Sequence, residues 1–156
     1  MFNLPAPSTA HQHVAMKLGT RLDSFVEEAN FGVVFSAPTD VFLTETDLVQ
    51  PNLMFISSER ADIVTTANTQ GAPGLIIEFR SDSTAERDEK VKRQLYAKCG
   101  VRVYCLVDPE TRTITVLLLG EDGYAETASY TEGQTLTSPM MEGLAADLDE
   151  IFLTRP

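Results

Sequence analysis

GAPGLIIEFRSDSTAERDEKVKRQLYAKCGVRVYCLVD, residues 71–108, is the stretch whose reading decides the fold. Within it, Leu75-Ile76-Ile77-Glu78-Phe79 is a short apolar run set off by Gly71-Ala72-Pro73-Gly74, the pattern of a strand covered on both faces. Ser83 with Glu86 three residues on is a capping-box signature, opening a helix that runs to about Lys98 and stops at Gly100. RVYCLVD, residues 102–108, is a second strand. Strand, helix and strand in that order predict that 75–79 and 102–108 lie parallel across the helix.

The same reading extends outward. Ser8 and Thr9 can cap a helix in which Val14, Leu18, Leu22, Phe25 and Val26 recur at helical spacing, ending near Asn30 and Gly32. FGVVFSA (31–37), VFLT (41–44) and LMFI (53–56) then read as strands, and the polar stretch 60–73 as a short helix plus a loop. Beyond the central segment, TITVLLL (113–119) follows a Pro-Glu-Thr-Arg turn, 124–130 reads as an edge strand, and LAADLDEIF (144–152) as a short amphipathic helix. With no repeat, low-complexity tract or linker in 156 residues, one domain spanning 1–156 is expected, of the α/β class with a mixed sheet flanked by helices.

Composition bounds the function. At 43% hydrophobic and 22% charged residues, neither disorder nor a membrane protein is indicated, and no apolar run approaches the roughly 18 residues of a membrane span. The amino terminus lacks the basic start and apolar stretch of a secretory signal, so a cytoplasmic location is expected. Cys99 and Cys105 match no zinc spacing and read as buried free thiols. The net charge of −11 argues against a polyanionic partner, but its distribution is uneven. Residues 80–102 hold seven of the twelve basic residues against four acids, a net +3, while the other five basic and nineteen acidic residues leave −14. An anion-facing patch and an ordinary solvated helix face both fit this asymmetry. No Ser/His/Asp arrangement, Gly-rich phosphate loop or HExxH motif supports acyl transfer, P-loop hydrolysis or zinc proteolysis.

Glu78 is the anomaly, because an ionised carboxylate in a covered strand is costly unless it is paired or holds a metal. Projecting 85–99 at about 100° per residue gives an inward stripe of Ala85, Asp88, Val91, Lys92, Leu95, Tyr96 and Cys99, which selects Lys92 over Lys90. One reading is structural: Glu78 satisfied by Lys92, or Asp88 and Lys92 as an i,i+4 pair. The other is a hard-cation site in which the lysine orients water and stabilises phosphorane charge. His11, on the apolar side of the opening helix, and Tyr96 both read most simply as packing residues.

QPNLMFI (50–56), the run from Gly71 to Val116 and TLTSPMMEGLAADLDEIF (135–152), with His11-Gln12 and Pro38-Thr39-Asp40-Val41, resemble the Uma-type restriction endonuclease family, a former domain of unknown function. That family is similar in fold to the PD-(D/E)XK nucleases. The resemblance implies a restriction-endonuclease-like core, Mg2+ or Mn2+ as cofactor, DNA as partner, and hydrolysis of phosphodiester bonds. It places the family's QPD aspartate on Asn52, its strand glutamate on Glu78 and its helical lysine on Lys92. Glu78 and Asn52 would then ligate the metal and Lys92 would assist water and phosphate. Arg80 stands where the broader pattern keeps a lysine, and Asp82 replaces a proline of the usual turn. Asn52 brings no negative charge, which points to an attenuated endonuclease, with Asp88, Asp40 and His11 as ancillary candidates. The alternative is a non-catalytic nuclease-fold module for nucleic-acid or protein interaction. Nucleases of this fold often pair to cut two strands, and ITVLLL (114–119) is either such a homodimer interface or core.

Overall fold

The computed structural model describes residues 8–80 and 85–152. Helix α1 (Thr9–Ala29) begins where expected: the Ser8 hydroxyl accepts the His11 N–H at 3.1 Å, and Val14, Leu18, Leu22 and Val26 form its buried stripe. Asn30, in the left-handed region, ends it. Gly32 then opens β1 (Gly32–Ser36) at φ 153°, where a Cβ would run into the carbonyl oxygen of Ile56 on the neighbouring strand.

The short strands β2 (Val41–Phe42) and β3 (Leu48–Val49) are followed by β4 (Leu53–Ser57), a 3-10 helix (Ser58–Ile63) and β5 (Thr69–Gln70). Next come β6 (Leu75–Phe79), α2 (Ala85–Cys99) and β7 (Val103–Asp108). The chain continues with β8 (Thr113–Gly120), β9 (Gly123–Tyr130), β10 (Thr135–Ser138), β11 (Met141–Asp147) and α3 (Leu148–Ile151). Six strands form the main sheet in the order β1-β4-β6-β7-β8-β9. Only β6 and β7 are parallel, with Glu78 opposite Leu106; every other pair is antiparallel, so the sheet is mixed as expected.

Strand alternation sends the two faces into two cores. Leu53, Phe55, Leu75, Ile77 and Phe79 pack under α1, α3 and the β10–β11 hairpin. Met54, Ile56, Ile76 and Tyr104 pack under Tyr96 of α2. β6, buried at all five positions, lies in the middle, which is why it reads as a continuous apolar run.

Several expectations are corrected. Residues 41–44 pair only at Val41–Phe42, in a separate three-stranded sheet ordered β3-β2-β5. The 60–73 stretch holds a short strand as well as a helical turn, and that helix begins at Ser58. LAAD at 144–147 belongs to β11, not to a helix, because Leu144 and Ala146 alternate inward with period two; only Leu148–Ile151 is helical. ITVLLL lies inside the sheet between β7 and β9, with Ile114, Val116 and Leu117 buried in its cores. Val91, assigned to the inward stripe of α2, is 59% exposed. Cys105 is buried but Cys99 is only half-buried, and both are free thiols. The Ser83–Glu86 cap, Asp82 and the Ala85 side chain lie outside the described residues. Among the described residues no helix is long and apolar enough to cross a membrane.

Candidate functional site

Glu78 faces α2 because its odd-numbered neighbours Ile77 and Phe79 face α1. At 5% exposure it is the one buried charged residue among those described. Lys92 Nζ donates to its Oε2 at 2.6 Å, and the Tyr96 hydroxyl makes a long contact, 3.4 Å, with Oε1. The helical projection therefore chose the right lysine, since Lys90 is exposed. Tyr96 does more than pack, as its hydroxyl touches the carboxylate. Asp88 is exposed, and the Lys92 ammonium goes to Glu78 and not to Asp88.

A layer of three tyrosines begins at this carboxylate with Tyr96. The Tyr104 ring meets Tyr96 edge-on at 5.2 Å and lies 5.7 Å from Tyr124, whose hydroxyl donates to the Val101 carbonyl. Burial, followed by the negative charge of Glu78, pushes the phenols of Tyr96 and Tyr104 well above the ordinary tyrosine range. Among the described residues, the buried Tyr104 hydroxyl finds no hydrogen-bond partner.

Glu89 was missed by the inward stripe. Its side chain is 25% exposed, and Arg80 Nε lies 3.0 Å from its Oε1, although that buried oxygen receives no aligned hydrogen bond. A signal for it was present, because Glu89 precedes Lys92 by three residues and Tyr96 by seven, the spacing of one helix face.

Asn52 sits just before β4. Since Leu53 stands opposite Ile77, the next position outward sets Asn52 beside Glu78 along the backbone. The side chains diverge. Asn52 Oδ1 accepts the Phe79 N–H at 2.9 Å, while Nδ2 lies 3.5 Å from His11 Nε2. The His11 ring packs edge-on against Phe79 at 4.8 Å, and burial lowers its pKa. The amide is thus turned toward α1, where His11 and Asn52 close one end of a groove of about 490 Å³ between α1 and β1. Asp40 is elsewhere: it accepts from Gln50 Nε2 at 2.7 Å beside the small sheet. Among the described residues no three His, Cys, Asp or Glu side chains gather into one cluster. Beside the Lys92 ammonium, the Glu78 carboxylate and the Tyr96 hydroxyl offer oxygens, the kind a hard divalent cation takes, and among the described residues Tyr104 Oη is buried without a hydrogen-bond partner. On those observations the residues fit such an ion.

The chain is thus a mixed sheet flanked by helices, an α/β fold. A solved structure shares it: a "putative nuclease belonging to DUF820" from Anabaena variabilis, 17% identical, covering 95% of this chain and 83% of its own, with a TM-score of 0.77. Residues 1–149 match the Uma2 family model, "Putative restriction endonuclease", and the chain belongs to that family. No protein of curated function is matched. Membership and fold together support a nuclease, of a class that in general binds nucleic acid and uses divalent metals.

Proposed function

We propose that the chain, acting as one domain, is a divalent-metal-dependent DNA endonuclease whose activity is attenuated at Asn52. The observation that carries this is the Lys92–Glu78 contact, a solvent-reaching ammonium held on a buried carboxylate by the crossover helix. Glu78 would hold Mg2+ or Mn2+. The Asn52 carboxamide oxygen, already bonded to the Phe79 N–H, keeps a second lone pair for the ion. The ion supplies positive charge that polarises the phosphoryl group and acidifies bound water.

The chain's own residues then do the positioning. Lys92, with its side chain 41% exposed, presents its remaining N–H groups to a non-bridging phosphate oxygen and to the attacking water. The attacking water releases a proton to solvent as its oxygen bonds to phosphorus, the P–O bond to the leaving nucleotide oxygen breaks, and that oxygen takes up a proton from solvent. Glu78 fixes the lysine while this occurs. Asn52 donates no charge to the site, and its oxygen is shared with a backbone N–H.

That sharing favours a second reading, in which the fold is kept as a non-catalytic nucleic-acid or protein interaction module. Asn52→Asp decides between them. Under the first reading, the substitution raises Mg2+- or Mn2+-dependent cleavage of plasmid DNA at least about tenfold, since it restores a ligand charge. If neither wild type nor Asn52→Asp cuts any DNA with either metal, and neither binds metal in calorimetric titration, the endonuclease reading fails.

A further inference from the structure

A second carboxylate, Glu89, lies on the helix that meets Glu78. Glu89 lies one helical turn before Lys92, whose ammonium contacts Glu78, and two turns before Tyr96, whose hydroxyl contacts it too. The helix face that meets Glu78 therefore carries Glu89 as well. The Asn52 amide nitrogen, by contrast, lies beside His11 of α1.

Two independent features mark the space on the Glu78 side. Glu89 Oε1 is buried and receives no hydrogen bond, although Arg80 Nε stands 3.0 Å away. The Tyr104 hydroxyl, on a ring with no exposure at all, also lacks a partner. Arg80, two positions after Glu78 in the chain, meets Glu89, and Lys92, three positions after Glu89, meets Glu78, so the two carboxylates lie along one stretch of the interface between α2 and the sheet. Buried oxygens without donors are costly, and a hard cation satisfies such a set.

We infer that Glu89 supplies the second carboxylate of the metal site, opposite Glu78, and that Arg80 competes with the ion for it. The inference rests on the reading that Glu78 holds a divalent cation, and it adds a ligand that the QPD position does not provide. It also assigns Arg80 a role: a displaceable counter-charge and not a catalytic group.

Mn2+ titration of the full chain, followed by the electron paramagnetic resonance signal of the free ion, tests this without any cleavage assay. Wild type, Glu78→Gln, Glu89→Gln and Arg80→Gln are compared, with near-ultraviolet circular dichroism reporting that each is folded. Glu89→Gln is expected to weaken Mn2+ binding at least about tenfold, as Glu78→Gln does, and Arg80→Gln to tighten it. Anomalous scattering from Mn2+ between the two carboxylates in a crystal would support the assignment. If Glu78→Gln abolishes binding while Glu89→Gln and Arg80→Gln bind like wild type, Glu89 is only Arg80's partner and the inference is overturned, with the Glu78 reading intact. If the wild-type chain binds no Mn2+, both fall together.

Discussion

Lys92 is what keeps Glu78 tolerable inside the sheet. One carboxylate oxygen depends on its ammonium and the other has only the long Tyr96 contact. Lys92→Met would remove the charge and leave the buried carboxylate nearly alone. Because the lysine is partly exposed, water relieves some of the loss, and a destabilisation of about 1–2 kcal/mol is expected in urea unfolding. The double variant Lys92→Met/Glu78→Gln should recover most of it. A double variant no more stable than Lys92→Met alone would show that the pair does not carry this energy. Both members were legible in the sequence: Glu78 as a charge in an apolar run, Lys92 by helical projection. Glu89 offered only its spacing from Lys92 and Tyr96, because its residue type reads as ordinary solvated charge on a helix rich in such residues. The orientation of Asn52 was not legible, since it depends on His11 and Phe79, far from it in the chain.

At the scale of elements, a tyrosine layer runs from α2 across the sheet: Tyr96 from the helix, Tyr104 from β7 and Tyr124 from β9. All three phenols have pKa values raised above the ordinary 10.0, mainly by burial. The folded state therefore keeps protons that the unfolded chain releases, so the contribution is complete below pH 10 and is lost as pH rises above it. Alkaline titration should show the phenolate absorbance of these three appearing together with loss of helical circular dichroism. A reversible phenolate signal from them in a fully helical protein would refute the packing argument. The thiol of Cys105, raised to about 12 by burial, belongs to the same regime and should stay unreactive until that transition. The strand–helix–strand unit was legible because its periodicities are long and clean. The β10–β11 hairpin was not, because Leu144, Leu148 and Ile151 also suit a helix and only the pairing of β11 with β10 settles which part is strand.

For the whole molecule, the basic window at 80–102 shrinks once partners are assigned. Lys92 is held by Glu78, Arg80 by Glu89, and Arg93 donates to the Tyr124 carbonyl at 2.9 Å. Lys90, Lys98 and Arg102 are exposed and open to a phosphate backbone, a smaller patch than the count of charges implies. Counting could not reveal this, since pairing across strands is set by the fold. The partner distances in the candidate site carry one more consequence, in the language of folding order. Lys92 reaches Glu78 across 14 residues, Phe79 reaches Asn52 across 27, and Asn52 reaches His11 across 41. Loop-closure entropy grows with separation, so the ion pair can form within a single strand–helix unit while the amide and imidazole wait for α1 and β4 to dock. In native-state hydrogen exchange, the helical amides of α1 around His11 should open at lower free energy than those around Lys92. If α1 and α2 instead open as one unit, the two halves of the site share a single folding event, and the glutamate and lysine gain no independence from the amide at position 52.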